Sequence, residues 1–232
     1  MNTHRLTPVV VAWLVTVSAG SVTAQNRLTA EESAAGWRLL FDGTTTNGWR
    51  GYMTESMPDG WQAVDGALAR VGAGGDIITT ESFRNFELAF EFKIEQGGNS
   101  GVFYRAVEGP ASIYFGAPEY QVLDNAGHPD GAAALTSTGS NYALHPAPPG
   151  LARSAGEWNE GRILVNGNQV EHWLNGQKIV EYELGSADWK ERVAKSKFNE
   201  WPEYGKAAEG HIGLQDHGDP VWYRNIMIRG LK

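Results

Sequence analysis

The chain has 232 residues, with 19 Lys and Arg against 27 Asp and Glu for a net charge of −8, and it contains no cysteine. The acidic balance argues against nucleic acid as a partner, and the missing cysteine excludes disulfides, thiolate catalysis and a lipid-modified N-terminal Cys. Twenty-nine glycines beside nine Trp, eight Tyr and eight Phe point to turn-rich β structure with rings available for sugar stacking, although any single ring has a competing reading as core.

The first two dozen residues are a different kind of segment. His4 and Arg5 precede an apolar run from Val9 to Val17, then small residues and Val22-Thr23-Ala24, the pattern of a secretory signal peptide cut after Ala24. The run falls short of the ~20 apolar residues that a membrane span needs. An exported protein, periplasmic or secreted, with no membrane span after cleavage is expected. Losing Met1 to Ala24 removes one Arg and no acid, so the mature chain carries −9. Residues 25 to 36 form a polar lead with one helical turn capped by Thr29, serving to tether the terminus; residues 37 to 232 read as one domain, since all-β sandwiches commonly run to about 200–250 residues in one piece.

From Trp37 onward the apolar residues repeat every second position. WRLLFDGTTTNGWRGY is a strand followed by turns at Asp42-Gly43 and Asn47-Gly48, and WQAVDGALARV folds around Asp65-Gly66. Along Asn85 to Glu95, Phe86, Leu88, Phe90, Phe92 and Ile94 share one face, which a helix would not keep for five repeats. NSGVFYRA and EYQVLDN, the two ends of the stretch Asn99 to Asn125, are strands that pack with one face and offer chemistry on the other: Glu119 and Gln121 share a face, and an arginine, Arg105, can project beside them from the neighbouring strand. A modest surface ion pair is the competing reading of Arg105 and Glu119. The long irregular region Gly127 to Gly156 belongs beside the cleft, because loops of this length are usually functional.

Two Asn-Gly pairs, Asn166-Gly167 and Asn175-Gly176, divide RILVNGNQVEHWLNGQKIVEYEL into a three-strand antiparallel meander. Ala187 to Phe198, after Ser186 as a cap, is the only helical stretch in the domain, and the chain closes with strands Ile212 to Asp216 and Val221 to Arg229 joined by a Gly-Asp-Pro turn. This inventory predicts an all-β, two-sheet antiparallel sandwich with a cleft on one outer face.

No GxSxG elbow, HExxH helix, P-loop or dinucleotide fingerprint is present. The polar candidates are therefore Asn99, Ser100 and Arg105; Glu119, Gln121, Asp124 and His128; Trp158, Asn159 and Arg162; Lys197; and His211, Gln215, Asp216, His217, Arg224 and Asn225. Competing structural readings stand beside them: His211 as a satisfied strand histidine, Asp124 as the cap of a turn, Lys197 as an exposed lysine. Asp216 and His217 with Glu119 or Asp124 could supply oxygen and nitrogen ligands to a divalent metal, but no spacing is diagnostic of an ion, so the expectation is of no certain cofactor.

NSGVFYR, EYQVLDN, EWN followed by GRILVNG, HWLNG, SKF and GHIGLQDHGDPVWYRNI, in this order behind LFDGTTTNGW, resemble the 3-keto-disaccharide hydrolase domain family over Trp37 to Leu231. The resemblance implies a jelly-roll fold of the concanavalin A-like lectin/glucanase type, and action on 3-keto-glycosides. The roles expected of the residues follow from the chemistry such a reaction needs. Glu119 and His217 share the roles of base and acid, in either order, Arg105 and Lys197 hold an enolate oxygen, and Asn99, Gln121 and Gln215 bind hydroxyls, with Trp158, Asn159, Asp216 and Arg224 as further substrate contacts. Glu119 with Asp124 as a direct two-carboxylate glycosidase is the alternative enzyme, disfavoured because residues five apart on an extended strand lie on opposite faces. A non-catalytic carbohydrate-binding module is the alternative of another class; against it stands the ionisable set Arg105, Glu119, Lys197 and His217, which a binding module does not need.

Overall fold

The computed structural model describes residues 25–231, so the expected signal peptide falls outside the described residues. Thirteen strands form two antiparallel sheets. In chain order they are β1 (Arg38–Leu39), β2 (Trp49–Gly51), β3 (Trp61–Val64), β4 (Ala67–Arg70), β5 (Ile77–Thr79), β6 (Phe86–Ile94), β7 (Asn99–Ala106), β8 (Glu119–Leu123), β9 (Asn159–Asn166), β10 (Gln169–Leu174), β11 (Gln177–Glu183), β12 (His211–Leu214) and β13 (Val221–Gly230). The larger sheet runs β11-β10-β9-β6-β13-β4-β3, with β1 also pairing to β13; the smaller runs β2-β5-β12-β7-β8. Phe86, Leu88, Phe90, Phe92 and Ile94 all face inward and are buried against Val102, Tyr104, Tyr120 and Val122 of the smaller sheet. The expected sandwich is therefore the observed one, with alternating residues interdigitating between the layers.

Turn chemistry fixes the register. Asp65-Gly66 and Asn175-Gly176 each hold two residues at positive φ (50° and 76°; 48° and 81°), the twist that suits a two-residue hairpin. At the other Asn-Gly pair the turn is displaced by one residue: Asn166 pairs with Gln169, leaving Gly167 and Asn168 as the turn residues. The closing strands are not a hairpin either, because β12 belongs to the smaller sheet and β13 to the larger, so the Gly-Asp-Pro segment crosses between layers.

Two short helices lie outside the sheets, α1 (Ala30–Ala34) and α2 (Ala187–Lys195). Thr29 caps α1 in a reciprocal box with Glu32. Ser186 caps α2, which stops at Lys195 rather than reaching Phe198, because the Ser196 hydroxyl accepts from Phe198 N (3.1 Å) and opens a separate 3-10 turn, Lys197–Glu200. A column of near-parallel rings, His145, Tyr182, Trp189, Tyr204 and Phe198, with successive centroids 4.4, 5.4, 5.8 and 4.1 Å apart, anchors both elements to the large sheet. The lead before α1 is also tied down. Asn26 N donates to Asn225 Oδ1 (2.6 Å) and Asn225 N to Asn26 Oδ1 (2.9 Å), locking it onto β13.

One buried polar cluster interrupts the core. His172 Nδ1 lies 2.9 Å from the Gly139 carbonyl, which can only accept, so Nδ1 carries the proton and Nε2 accepts from the Tyr104 hydroxyl (2.9 Å). Burial pushes the His172 pKa down to about 3, which keeps the ring neutral.

Candidate active site

Register places the site on the outer face of the smaller sheet. β7 and β8 pair Gly101 with Gln121 and Phe103 with Glu119, so these four residues share that face with Asn99. Gln215 N donates to Gly101 O (3.0 Å), which adds Gln215 from the end of β12 to the same row. Gly101 makes room there. A Cβ at this position would stand 2.2 Å from Glu119 Oε1, so the missing side chain is the space into which the Glu119 carboxyl folds.

The free edge of β8 is closed by the irregular region. Gly139 N donates to Gln121 O (2.8 Å), Gln121 N to Ser140 O (3.1 Å) and Tyr142 N to Glu119 O (3.1 Å), which swings the Tyr142 ring over the face. From the other side the ring column sets the 3-10 turn so that Lys197 Nζ sits over the Tyr142 ring (4.6 Å) and the Tyr114 ring (5.4 Å). Together Asn99, Tyr114, Glu119, Gln121, Tyr142, Lys197, Gln215 and His217 line a cavity of about 190 Å³.

Electrostatics single out Glu119. No side chain hydrogen-bonds its buried carboxyl among the described residues. Burial pushes its pKa up to about 8, opposed by the Lys197 charge and assisted by the nearby Asp76 and Asp130 carboxylates. Asn99 Oδ1 and Gln215 Oε1, both lining the same cavity, are buried acceptors without a partner. Such orphaned oxygens are where hydroxyls of a ligand find their hydrogen bonds.

Six residues proposed from sequence thus meet in one cavity: Asn99, Glu119, Gln121, Lys197, Gln215 and His217. Arg105 does not join them. Strand alternation is broken by a bulge, since His211 pairs with Ala106 but Gly213 with Phe103, and Arg105 takes the extra position with φ 52°. Its guanidinium points to the Arg84 and Gly167 carbonyls instead. Asp124 faces neither cavity nor solvent: Gly97 N (2.8 Å) and Ala126 N (3.1 Å) donate to its two oxygens, closing a turn. Asp216 pairs with Arg70 (2.7 Å) and accepts from Gly74 N and Gly75 N, which leaves it little capacity as a ligand. Among the described residues no cluster of three or more His, Asp or Glu is arranged to hold a metal ion.

Trp158 and Arg224 lie on the outer face of the larger sheet, stacked on each other at 4.0 Å, and Arg162 sits there beside Trp173 (4.8 Å). Asn159 is buried at the start of β9, its side-chain oxygen accepting from Arg153 N and Asn175 Nδ2. Of the remaining candidates, Ser100 bonds inward to Tyr223 Oη (2.9 Å), His211 meets the Glu81 carbonyl, Asn225 holds Asn26 and Glu91, and the His128 ring stands 6.3 Å from that of His217.

Three residues escaped sequence reasoning. Tyr114 falls inside the stretch singled out but reads as core, and Tyr142 comes from a loop with no periodic signal. Asp76 is the third. Leu214 pairs with Ile77, which puts Asp76 across from Gln215 in the row that continues to Gly101 and Gln121. Its Oδ1 accepts from Asp216 N (2.9 Å), and burial pushes its pKa up to about 6, with the Asp216 charge adding to the rise. The Asp-Ile-Ile sequence leading into β5 carries no signal that would have found it.

A family model described as a 3-keto-alpha-glucoside-1,2-lyase-like domain matches residues 36–229, most of the chain. The chain belongs to this family. A relative from Bacteroides thetaiotaomicron named 3-keto-disaccharide hydrolase is 40% identical over 230 residues, covering 85% of this chain and 79% of the relative. Among solved structures, a Parabacteroides distasonis protein provisionally named a glycosyl hydrolase is similar with a TM-score of 0.84 and 35% identity, over 90% of this chain and all of that one. A second protein of that organism, named in the same way, reaches a TM-score of 0.66 at 28% identity over 84% of this chain and 99% of its own. The carbohydrate-binding module CBM66 of Bacillus subtilis, 12% identical with a TM-score of 0.50 over 81% of this chain and 97% of its own, shares the fold alone.

Proposed function

We propose that this protein is an exported hydrolase that cleaves 3-keto-glycosides by elimination and rehydration, with Glu119 as the base. A ketone at sugar C3 acidifies the C2 hydrogen. Removing that proton gives an enolate that expels the C1 substituent, and water adding back across the alkene completes a net hydrolysis with no glycosyl-enzyme. This sequence accounts at once for a family described by a 1,2-lyase and a relative named a hydrolase.

The observation that carries the reading is a buried, unpaired carboxyl facing a lysine. With its pKa near 8, Glu119 is a far stronger base than a solvated carboxylate and still has an ionised fraction near neutrality. Lys197, held across the cavity over two tyrosine rings, supplies the positive charge for the enolate oxygen. His217, exposed at the rim, protonates the departing oxygen, and Asn99 and Gln215 accept sugar hydroxyls through their unpartnered oxygens. A cavity of about 190 Å³ is smaller than a drug-sized site and suits one sugar ring with the aglycone outside. A direct two-carboxylate route loses Asp124, whose oxygens are bound to backbone amides, and would need Asp76 in its place.

The test is cleavage in heavy water of a 3-keto-glucoside beside its unoxidised parent. Elimination requires the ketone and leaves deuterium at C2 of the released 3-keto sugar. Product with only hydrogen at C2, or fast cleavage of the unoxidised glucoside, would exclude the route. Export is tested separately, by the mature N-terminus of protein recovered from the native host, expected at Gln25.

A further inference from the structure

A second cavity, of about 670 Å³, lies between α2 and the segment from Trp201 to Ala208, on the far side of the 3-10 turn that carries Lys197. Its size falls in the range of small-molecule sites. Its walls are aromatic and its charges are all of one sign. Trp189, Phe198, Trp201 and Tyr204 supply rings; Arg105, Lys190 and Lys206 supply three cations, with no acid in the lining of a chain whose net charge is −8. Lys206 has one exposed acidic neighbour, Glu203 at 3.5 Å.

Arg105 is the informative member. It is buried, at 4% exposure, and no carboxylate pairs with it among the described residues. Nε and Nη2 spend their hydrogens on the Arg84 and Gly167 carbonyls, so the two hydrogens of Nη1 have no protein acceptor. The bulge holds the residue at φ 52°, a conformation that is strained for a non-glycine residue and persists where the surroundings impose it. The Tyr204 hydroxyl is buried without a partner as well. A buried cation without a counter-ion is costly unless an anion completes it.

We propose that this cleft binds a small aryl carboxylate, its carboxylate taken by Arg105 Nη1 with support from Lys190 and Lys206, its ring laid against Trp201 and the edge of Trp189. One outward-facing guanidinium nitrogen suits a singly charged group, and the rings favour a flat body. The site is separate from the Glu119 cavity and needs none of its residues.

Calorimetric titration of the full chain with 2-naphthoate, 2-naphthamide and acetate tests this, with the indole N–H resonances of Trp189 and Trp201 followed in parallel. Naphthoate should bind saturably, at least tenfold more tightly than either the neutral amide or the ringless anion, and shift both indoles. Arg105→Gln should weaken it at least tenfold. Because that change also removes two carbonyl contacts, Lys190→Ala and Trp201→Ala provide independent losses in variants that keep Arg105. Glu119→Gln should bind naphthoate unchanged. Equal affinity for the amide, no saturable shift of the two indoles, or loss of binding in Glu119→Gln would each overturn the proposal.

Discussion

Replacing Glu119 with Gln tests the electrostatics of the site without reference to any substrate. The carboxyl has an ordinary pKa of 4.5 in the unfolded chain and about 8 in the folded one, with burial as the main cause. A folded pKa above the unfolded value means that the folded state holds its proton more tightly. The associated stability is complete below pH 4.5 and is lost as the pH rises to 8. At about 1.4 kcal/mol per pKa unit, the wild-type protein should lose on the order of 4–5 kcal/mol across that window relative to the Gln variant, which has nothing to ionise there. Asp76 titrates inside the same window, from 3.8 to about 6, and is common to both proteins, so it cancels in the difference. Urea unfolding at pH 5, 6, 7, 8 and 9 measures the effect. The two stability curves should lie close together at pH 5 and diverge to a plateau above pH 8. Parallel curves would show that Glu119 is ionised and solvated at neutral pH, and the base argument would fall with them.

Four other outcomes follow from the same geometry. In turnover of a 3-keto-glucoside, wild-type rate should rise with pH toward about 8 as Glu119 ionises, and Glu119→Gln should lose roughly 10²–10⁴ in kcat. Gly101→Ala drives a methyl to within 2.2 Å of Glu119 Oε1 and should cost at least tenfold in kcat while circular dichroism remains that of a β-sandwich. Lys197→Met should reduce kcat by roughly 10²–10³ and move the pH profile upward, since the lysine charge holds the Glu119 pKa down. Asp124→Ala, by contrast, strands the Gly97 and Ala126 amides and should cost about 1–3 kcal/mol in urea stability with little change in kcat.

What the sequence revealed and what it hid divide along one physical line. Alternation and turn dipeptides are local, so β6, the Asn175-Gly176 hairpin and the pairing of Glu119 with Gln121 on one face could be read directly. Local logic failed at Arg105, where one extra residue in β7 turned the side chain away from its expected neighbours; nothing in NSGVFYRA marks a bulge. Asp124 and Asp216 looked chemical because carboxylates do, and their true partners are backbone amides distant in sequence or set by turns, with Arg70 beside Asp216. Asp76 stayed hidden for the opposite reason. Only the lateral register across β5, β12, β7 and β8 brings it into the row of Gln215, Gly101 and Gln121.

The chemistry of the site comes from a missing side chain as much as from those present. In a flat sheet row, a glutamate opposite Phe103 would extend into water and titrate near its ordinary pKa. Gly101 leaves a hollow in the sheet, the segment at residues 139–142 seals the β8 edge, and the ring column brings the Lys197 turn down over the opening. Each of these removes water from one carboxyl, and the withdrawal of water is what raises its basicity. The same withdrawal destabilises the folded chain once the carboxyl ionises, so the alkaline loss of stability and the strength of the base are two measures of one free energy. A substitution that restores water to Glu119 should therefore make the protein more stable at pH 9 and a poorer catalyst above pH 8, where the wild-type base is ionised as well as strong.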